Sequence, residues 1–352
     1  MSHDVRGWQQ CITPALEESP LYQHMATTLD QDLALRALRD LLDPDQPNLI
    51  LLLTAINYLV FTYPQEELAA FYGYLTPHPR PAHEIGPVLR SFCVRHEQEL
   101  RALLPTARLQ TNEVGRWGPL LLAFYQVFLL GGNKPLTLFE LGCSAGLGLN
   151  WDRYHYTYNQ TVSSGDAISP VHLRSTVQGD LPPIPKRMPP VAQKVGIELA
   201  PLDLTNEEDV RWLRASIWAG LLERYPRFDA AVALARQYPP KVLAGDVCIW
   251  LPRLLETVSP TTTLCIYNSF ALNQGPERVR TEVRHLMEEF SYKQAVYHLS
   301  LEVQPPHRSL PWLELSLYEQ GELVGTHHLA TSSLHGDRIE WHATLARENE
   351  IA

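Results

Sequence analysis

Residues 136–150, Leu-Thr-Leu-Phe-Glu-Leu-Gly-Cys-Ser-Ala-Gly-Leu-Gly-Leu-Asn, admit few folds. Leu136, Leu138, Phe139 and Leu141 supply the apolar run of a strand covered on both faces. Glu140 stands at the carboxyl end of that strand, and Gly142, Gly146 and Gly148 follow it. Glycine is needed where φ turns positive or where backbone must pass close to another group. The segment therefore predicts a buried strand, a glycine-rich turn and a helix. A loop of this kind at the mouth of a parallel sheet is where doubly wound folds hold nucleotide-like ligands.

The dinucleotide fingerprint G-x-G-x-x-G does not fit. From Gly142 the next glycines fall four and six positions on, and Ser144 takes the place of the second glycine. The order is an acidic residue, then Gly-x-small-x-Gly. It resembles the first motif of class I S-adenosylmethionine-dependent methyltransferases, in which the loop passes under the methionine part of the cofactor. A strand-to-helix turn with no ligand is the plain alternative.

Composition narrows the partners. The 352-residue chain is 45% hydrophobic and 19% charged, the balance of a globular protein without a low-complexity tail. Its formal charge is -10 and it has no basic run, which argues against a nucleic-acid partner. The five cysteines are odd in number and form no C-x-x-C pair, so neither a disulfide framework nor a zinc site is expected. That usage suits a reducing cytoplasm. The histidines form no H-x-x-x-H spacing, and His327-His328 would face opposite sides of a strand, so no metal is expected. No G-x-S-x-G elbow points to hydrolase chemistry. Met1–Trp8 lacks the apolar core of a signal peptide. Leu49–Tyr63, the most hydrophobic segment, falls short of the roughly 20 residues that span a bilayer.

The first third reads as helical. Apolar residues recur at helix spacing over Leu33–Leu42, and a turn at 44–47 leads into a buried helix over Leu49–Phe61. Further helices are expected at Pro81–Leu104 and Pro119–Leu130, the last opened by proline and closed by Gly131-Gly132. These place an all-helical N-terminal cap at 1–118 and an α/β domain at 119–352. Within the latter, Arg153–Tyr158 and Val171–Val177 read as a β-hairpin insertion at about 151–192, with Tyr154, Tyr156 and Tyr158 on one face. Those tyrosines either wall an aromatic pocket or pack the hairpin onto the core. Strands follow at Val195–Asp203, Lys241–Asp246, Thr263–Phe270 and Gln294–Val303. A closing antiparallel hairpin covers Leu313–Tyr318 and Leu323–Leu329, turning at Gln320-Gly321. Helices are expected at Asn206–Trp218, Tyr225–Gln237 and Pro276–Phe290. The expected fold is α/β, a doubly wound, mostly parallel, seven-stranded Rossmann-like sheet.

Three acidic residues, Glu140, Glu198 and Asp246, then sit at the carboxyl ends of three successive core strands. In an open α/β sheet those ends line one crevice. Glu198 can accept from both ribose hydroxyls and Asp246 from an adenine amino group. Glu140 can instead cap or pair a neighbour, and Asp246 can cap the next helix.

The segments Gln110–Arg116, Glu140–Asn150, Asp152–Tyr156, Val195–Thr205 and Val242–Asp246 resemble those of a bacterial family, number 2332 in the domain-of-unknown-function series. The resemblance covers nearly the whole chain. It implies a class I methyltransferase-like core behind a helical extension, with S-adenosylmethionine as cofactor and Gly142, Ser144 and Gly146 in its loop. It leaves the acceptor, a small molecule or peptide-like group, undefined. Arg116 either forks onto the cofactor carboxylate or belongs, with Asn112, to a capping network. Glu113 is the candidate general base, needed only for a hydroxyl or thiol acceptor. Asn268 closes the fourth strand, where it either faces the acceptor or satisfies nearby backbone. Two functions follow: methyl transfer, or binding of S-adenosylmethionine or S-adenosylhomocysteine without turnover. A nicotinamide oxidoreductase is disfavoured by the loop spacing.

Overall fold

The computed structural model describes residues 19–38, 41–42, 48–303, 310–343 and 345. Met1–Trp8 and the turn expected at 44–47 lie outside the described residues. The chain divides into two compact units, one of residues up to Thr111 with Leu204–Asp229, the other of Asn112–Asp203 with Ala230 onward.

The first unit is built from helices. Ser19 Oγ accepts from the Tyr22 N–H and Pro20 opens the helix Pro20–Gln31, a standard helix start. The helix Asn48–Thr62 is apolar nearly all round, and Leu51, Leu52, Leu53, Ala55, Ile56 and Val60 are fully buried. The returning segment explains this: its helix Glu207–Ala215 packs on Asn48–Thr62, where the buried Asn57 amide donates to Ala215 O at 2.8 Å. The single helix expected over Pro81–Leu104 is instead two, Ile85–Arg95 and Glu97–Leu103, after a short 3-10 turn. They break at His96, which leaves helical geometry while its two ring nitrogens meet the carboxylates of Glu99 and Glu66.

In the second unit one sheet runs through eleven described strands: β1 Leu136–Leu141, β2 His155–Tyr158, β3 Val162–Gly165, β4 His172–Gln178, β5 Val191–Glu198, β6 Val242–Ala244, β7 Thr263–Ser269, β8 Val296–Glu302, β9 Trp312–Glu319, β10 Glu322–Ser332 and β11 Arg338–Trp341. Their order is β3-β2-β4-β11-β10-β9-β8-β7-β1-β5-β6. The stretch β8-β7-β1-β5-β6 is parallel throughout. From β1 the chain goes first to β5 and β6 on one side, then to β7 and β8 on the other. The expected seven-stranded sheet is corrected to eleven, with antiparallel pairs at β8–β9, β9–β10, β10–β11 and β2–β3. All seven expected strands are present. The insertion adds β2, β3 and β4, and β11 joins them to β10.

The insertion is not the hairpin the alternation suggested. β2 turns back onto β3 through Asn159 and Gln160, both left-handed (φ 50° and 61°), and β4 lies parallel to β2 on its other side. Asn-Gln makes a two-residue left-handed turn without the glycine that usually signals one. Nor does an α-helix follow the glycine loop. Leu147–Arg153 is a 3-10 stretch broken at Asn150, and it runs directly into β2.

The helix Trp117–Leu130 accounts for the extended sheet. It is apolar on nearly every side and touches β4, β7, β9 and β10, so sheet surrounds much of it. Each fully buried Leu or Phe there contributes about 1.5–3 kcal/mol. The hydroxyls of Tyr156 and Tyr158 donate to Trp151 O and Gly118 O, both at 2.7 Å. The tyrosine face therefore packs the insertion inward. On the opposite face Phe139, Leu141, Val195 and Ile197 meet Leu251, Leu254, Val283 and Phe290 of the helices Val247–Leu255 and Glu277–Ser291. Coverage on both faces is why β1 reads as a continuous apolar run. Among the described residues no helix is long and apolar enough to cross a membrane.

Candidate functional site

β1 and β7 are neighbours, yet the chain leaves them toward opposite sides of the sheet. Loops that diverge this way open a crevice at the strand ends. Gly142 (φ 73°), Ser144 (φ 53°) and Gly146 (φ 75°) give the loop after β1 its alternating left-handed turns. A Cβ on Gly142 would lie 2.3 Å from the Ala271 Cβ, so this glycine lets the loop after β1 approach the one after β7. The Gly142 and Ser144 N–H groups are fixed across the sheet, donating to Ile197 O and Glu198 Oε2, both at 2.8 Å. Glu198 thus holds the loop, and its other oxygen accepts from Ala200 N–H at 3.4 Å. The Ser144 hydroxyl is buried with no hydrogen-bond partner among the described residues.

Glu140 is enclosed by the protein. Its carboxyl, 2% exposed, accepts from the Tyr267 hydroxyl at 3.1 Å. Burial pushes its pKa up to about 8 against the pull of that hydrogen bond, and the charge of Glu198 adds to the rise. Glu140 is therefore largely protonated at neutral pH. Asp246 caps the helix Val247–Leu255, accepting from Cys248 N–H at 2.9 Å through Oδ1. The Gly245 N–H donates to Glu198 O at 2.9 Å, which draws the ends of β5 and β6 together. Beside these acids stand two apolar side chains that sequence reasoning passed over: Leu199, 74% exposed, and Ile249, 56% exposed. Leu199 directly follows Glu198, and that adjacency was the available signal.

The segment 112–116 spans the crevice. The Asn112 amide donates to Cys143 O at 3.3 Å, on the loop after β1. The Arg116 guanidinium lies 3.8 Å over the ring of Phe270, which follows β7, and its Nε donates to Leu334 O at 3.2 Å. Phe270 has φ 54°, a strained value for an aromatic residue. Glu113, 4% exposed, accepts from Gly115 N–H at 2.8 Å, and its second oxygen lies 3.7 Å from His335 Nδ1.

Asn268 sits differently. It is fully buried; its amide donates to Glu302 Oε1 at 2.7 Å and Ser300 Oγ at 3.3 Å, and its oxygen accepts from His298 Nε2 at 2.8 Å. Glu302 also accepts from Ala271 and Leu272 N–H at 2.9 and 3.0 Å. Burial pushes His298 down to about 4, so it donates as a neutral ring. Asn268 therefore supports the loop after β7 through Glu302. Nothing in the sequence links it to Glu302, which only the pairing of β7 with β8 brings near.

The strand-end residues are thus Ser144, Glu198, Leu199, Asp246 and Ile249 on one side, with Asn112, Glu113 and Arg116 across the mouth. An open groove of about 710 Å³ along β3 and β11, with Leu181, Ile184, Lys186 and Trp341 among its lining residues, includes none of them. Among the described residues no group of three or more His, Cys, Asp or Glu side chains is arranged to hold a metal ion. The family described as "Uncharacterized protein conserved in bacteria (DUF2332)" matches residues 9–341. Neither the curated proteins nor the solved structures contain a match.

Proposed function

From a chain that belongs to the bacterial DUF2332 family, we propose a protein that binds S-adenosylmethionine at the ends of β1, β5 and β6 and transfers its methyl group to a small-molecule or peptide-like acceptor. The parallel strands β6-β5-β1-β7-β8 are read as a doubly wound core of the class I methyltransferase type. One observation carries the proposal. Glu198 holds the glycine loop through the Ser144 N–H while standing next to the exposed Leu199 and one strand from Asp246. Acid, apolar side chain and acid at adjacent strand ends match the hydroxyls, flat face and amino group of a nucleoside.

The residues fit that ligand. Each Glu198 oxygen keeps a second lone pair beyond its backbone contact, enough to accept from two ribose hydroxyls. Asp246 caps its helix through Oδ1 and also takes the Cys248 thiol, and its two oxygens keep lone pairs for an adenine amino group. Leu199 and Ile249 supply apolar surface that is otherwise left to water. The unpartnered Ser144 hydroxyl gains a partner, and Arg116 forks onto the ligand carboxylate. The bound cofactor supplies a methyl group on a positively charged sulfur. The chain contributes orientation, which can be worth roughly 7–11 kcal/mol in a two-reactant step. No nucleic-acid, membrane or metal partner is proposed, and the setting is cytoplasmic.

A second reading, binding without turnover, draws on the state of Asn268, whose polar atoms are spent on the protein itself. Titration calorimetry with S-adenosylmethionine, S-adenosylhomocysteine and NADH separates the possibilities. Saturable binding of the first two, lost in Glu198→Ala, is the expected result. Failure of both to bind a folded chain at millimolar ligand overturns the proposal.

A further inference from the structure

The insertion turns its tyrosines inward, so the alternate residues of β2, β3 and β4 form an outer polar face that the proposed cofactor site does not use. Ser163, His172 and Arg174 are exposed on it, and His155 and Thr157 are half-buried. β2 and β4 run parallel with His155 opposite His172 and Thr157 opposite Arg174, while Ser163 of β3 lies opposite Thr157 on the other side. The two imidazoles stand 4.5 Å apart, centroid to centroid. His172 Nε2 and the Thr157 hydroxyl are hydrogen-bonded at 2.8 Å, and Ser163 Oγ lies 3.5 Å from the same hydroxyl. His155 Nδ1 is buried without a hydrogen-bond partner among the described residues. The Arg174 guanidinium likewise forms no ion pair or hydrogen bond among them.

This face has no negative charge to set against its positive ones. Burial, His155 and Arg174, in that order, lower the pKa of His172, and no carboxylate counters them. β3 carries no ionisable side chain. Asp166, which follows β3, accepts from the Ile168 N–H at 3.1 Å. Arg338 and Glu340 of β11 lie beside Thr176 and Gln178, further along β4. His155, His172 and Arg174 are therefore held together without a counter-ion. Like charges gathered this way repel one another, and an anion seated among them turns that repulsion into attraction.

We propose that the outer face of the insertion binds a phosphoryl group, as free phosphate or a phosphate monoester, through His155, His172, Arg174 and the Thr157 hydroxyl. The guanidinium offers paired N–H donors that match two oxygens of a tetrahedral anion. An imidazolium at His172 donates from Nε2 to Thr157 Oγ1, which leaves the hydroxyl proton free for the ligand. A metal ion held by the two imidazoles is disfavoured, because a cation there meets the same repulsion from Arg174. The site stands apart from the S-adenosylmethionine reading, since none of its residues belongs to the ends of β1, β5 or β6.

The test uses the full chain labelled with ¹⁵N-histidine, with His155→Gln and His172→Gln to assign the two rings. Inorganic phosphate, phenyl phosphate, acetate and zinc are titrated at constant ionic strength while long-range proton–nitrogen spectra follow the ring nitrogens. Phosphate is expected to saturate, to shift both rings and to raise the pKa of His172, because a bound anion favours the imidazolium. Arg174→Gln is expected to weaken binding about tenfold or more, the worth of charge-assisted hydrogen bonds, and Thr157→Val by a smaller factor. Unchanged thermal unfolding of both variants shows that the fold is kept. Tighter binding of phenyl phosphate than of phosphate supports the site and assigns a monoester; equal or weaker binding supports it and assigns free phosphate. A response that does not saturate, that acetate reproduces at equal strength, that survives Arg174→Gln, or that zinc alone elicits overturns the inference.

Discussion

Two polar clusters flank β1, and they are built on opposite principles. On the β7–β8 side, His298, Asn268 and Glu302 are buried and bonded to one another and to the Ala271 and Leu272 N–H groups. On the β5–β6 side, Glu198 and Asp246 each serve one or two backbone N–H groups and retain accepting capacity, and the Ser144 hydroxyl has no partner among the described residues. The first cluster is a closed network whose purpose is to hold a loop. The second is open, and its spare lone pairs stand beside exposed apolar side chains. Residue type at a strand end therefore says less about ligand binding than how many of its hydrogen-bonding positions the fold has already used.

That contrast makes predictions of different size. Glu302→Ala strips acceptors from an amide and two backbone N–H groups in a buried setting and is expected to cost at least about 3 kcal/mol, read by urea unfolding. A milder loss would mean that the network is not closed. Glu140→Gln tests the buried acid between the two clusters. Because its folded pKa lies near 8 and its unfolded value near 4.5, native protein binds the extra proton between those values. Its stabilising contribution is full below about pH 4.5 and is lost as pH rises through 8. The isosteric amide is expected to flatten the pH dependence of thermal unfolding and to be more stable than the parent above pH 8, by on the order of a few kcal/mol. Identical pH profiles would contradict a neutral Glu140.

Glu198→Ala addresses the open cluster. It should weaken S-adenosylmethionine roughly 10- to 100-fold, the worth of a charge-assisted hydrogen-bond pair, while stability falls by only about 1 kcal/mol. A stability loss as large as that of the Glu302 variant would erase the distinction between the sides. Asp246→Ala is the smallest effect, about 1 kcal/mol for the lost helix cap, with a modest further loss in affinity. Unchanged affinity would leave Asp246 a cap and nothing more.

What was legible in the sequence was local. The helix Trp117–Leu130 announced itself through its apolar run, its early proline and its closing glycines, and β9–β10 through Gln320-Gly321. The acids after β1, β5 and β6 were found by their position alone. The 3-10 stretch after the glycine loop was not, since Gly148 gives way there to the Trp117 ring, to which a Cβ would come within 1.5 Å. The turn at Asn159-Gln160 lacked its usual glycine, which hid the true partner of β2.

The sequence by itself located most of the strands and helices, because hydrophobic period and turn chemistry act over a few residues. It also determined that three carboxylates end three successive core strands. Only the tertiary structure decided that the insertion continues the sheet through β11, that Asn268 is consumed by Glu302 and His298, and that Glu113 meets His335. Those outcomes depend on which strands lie side by side, and pairing between residues 30 to more than 200 positions apart is set by burial of the whole unit rather than by any local preference.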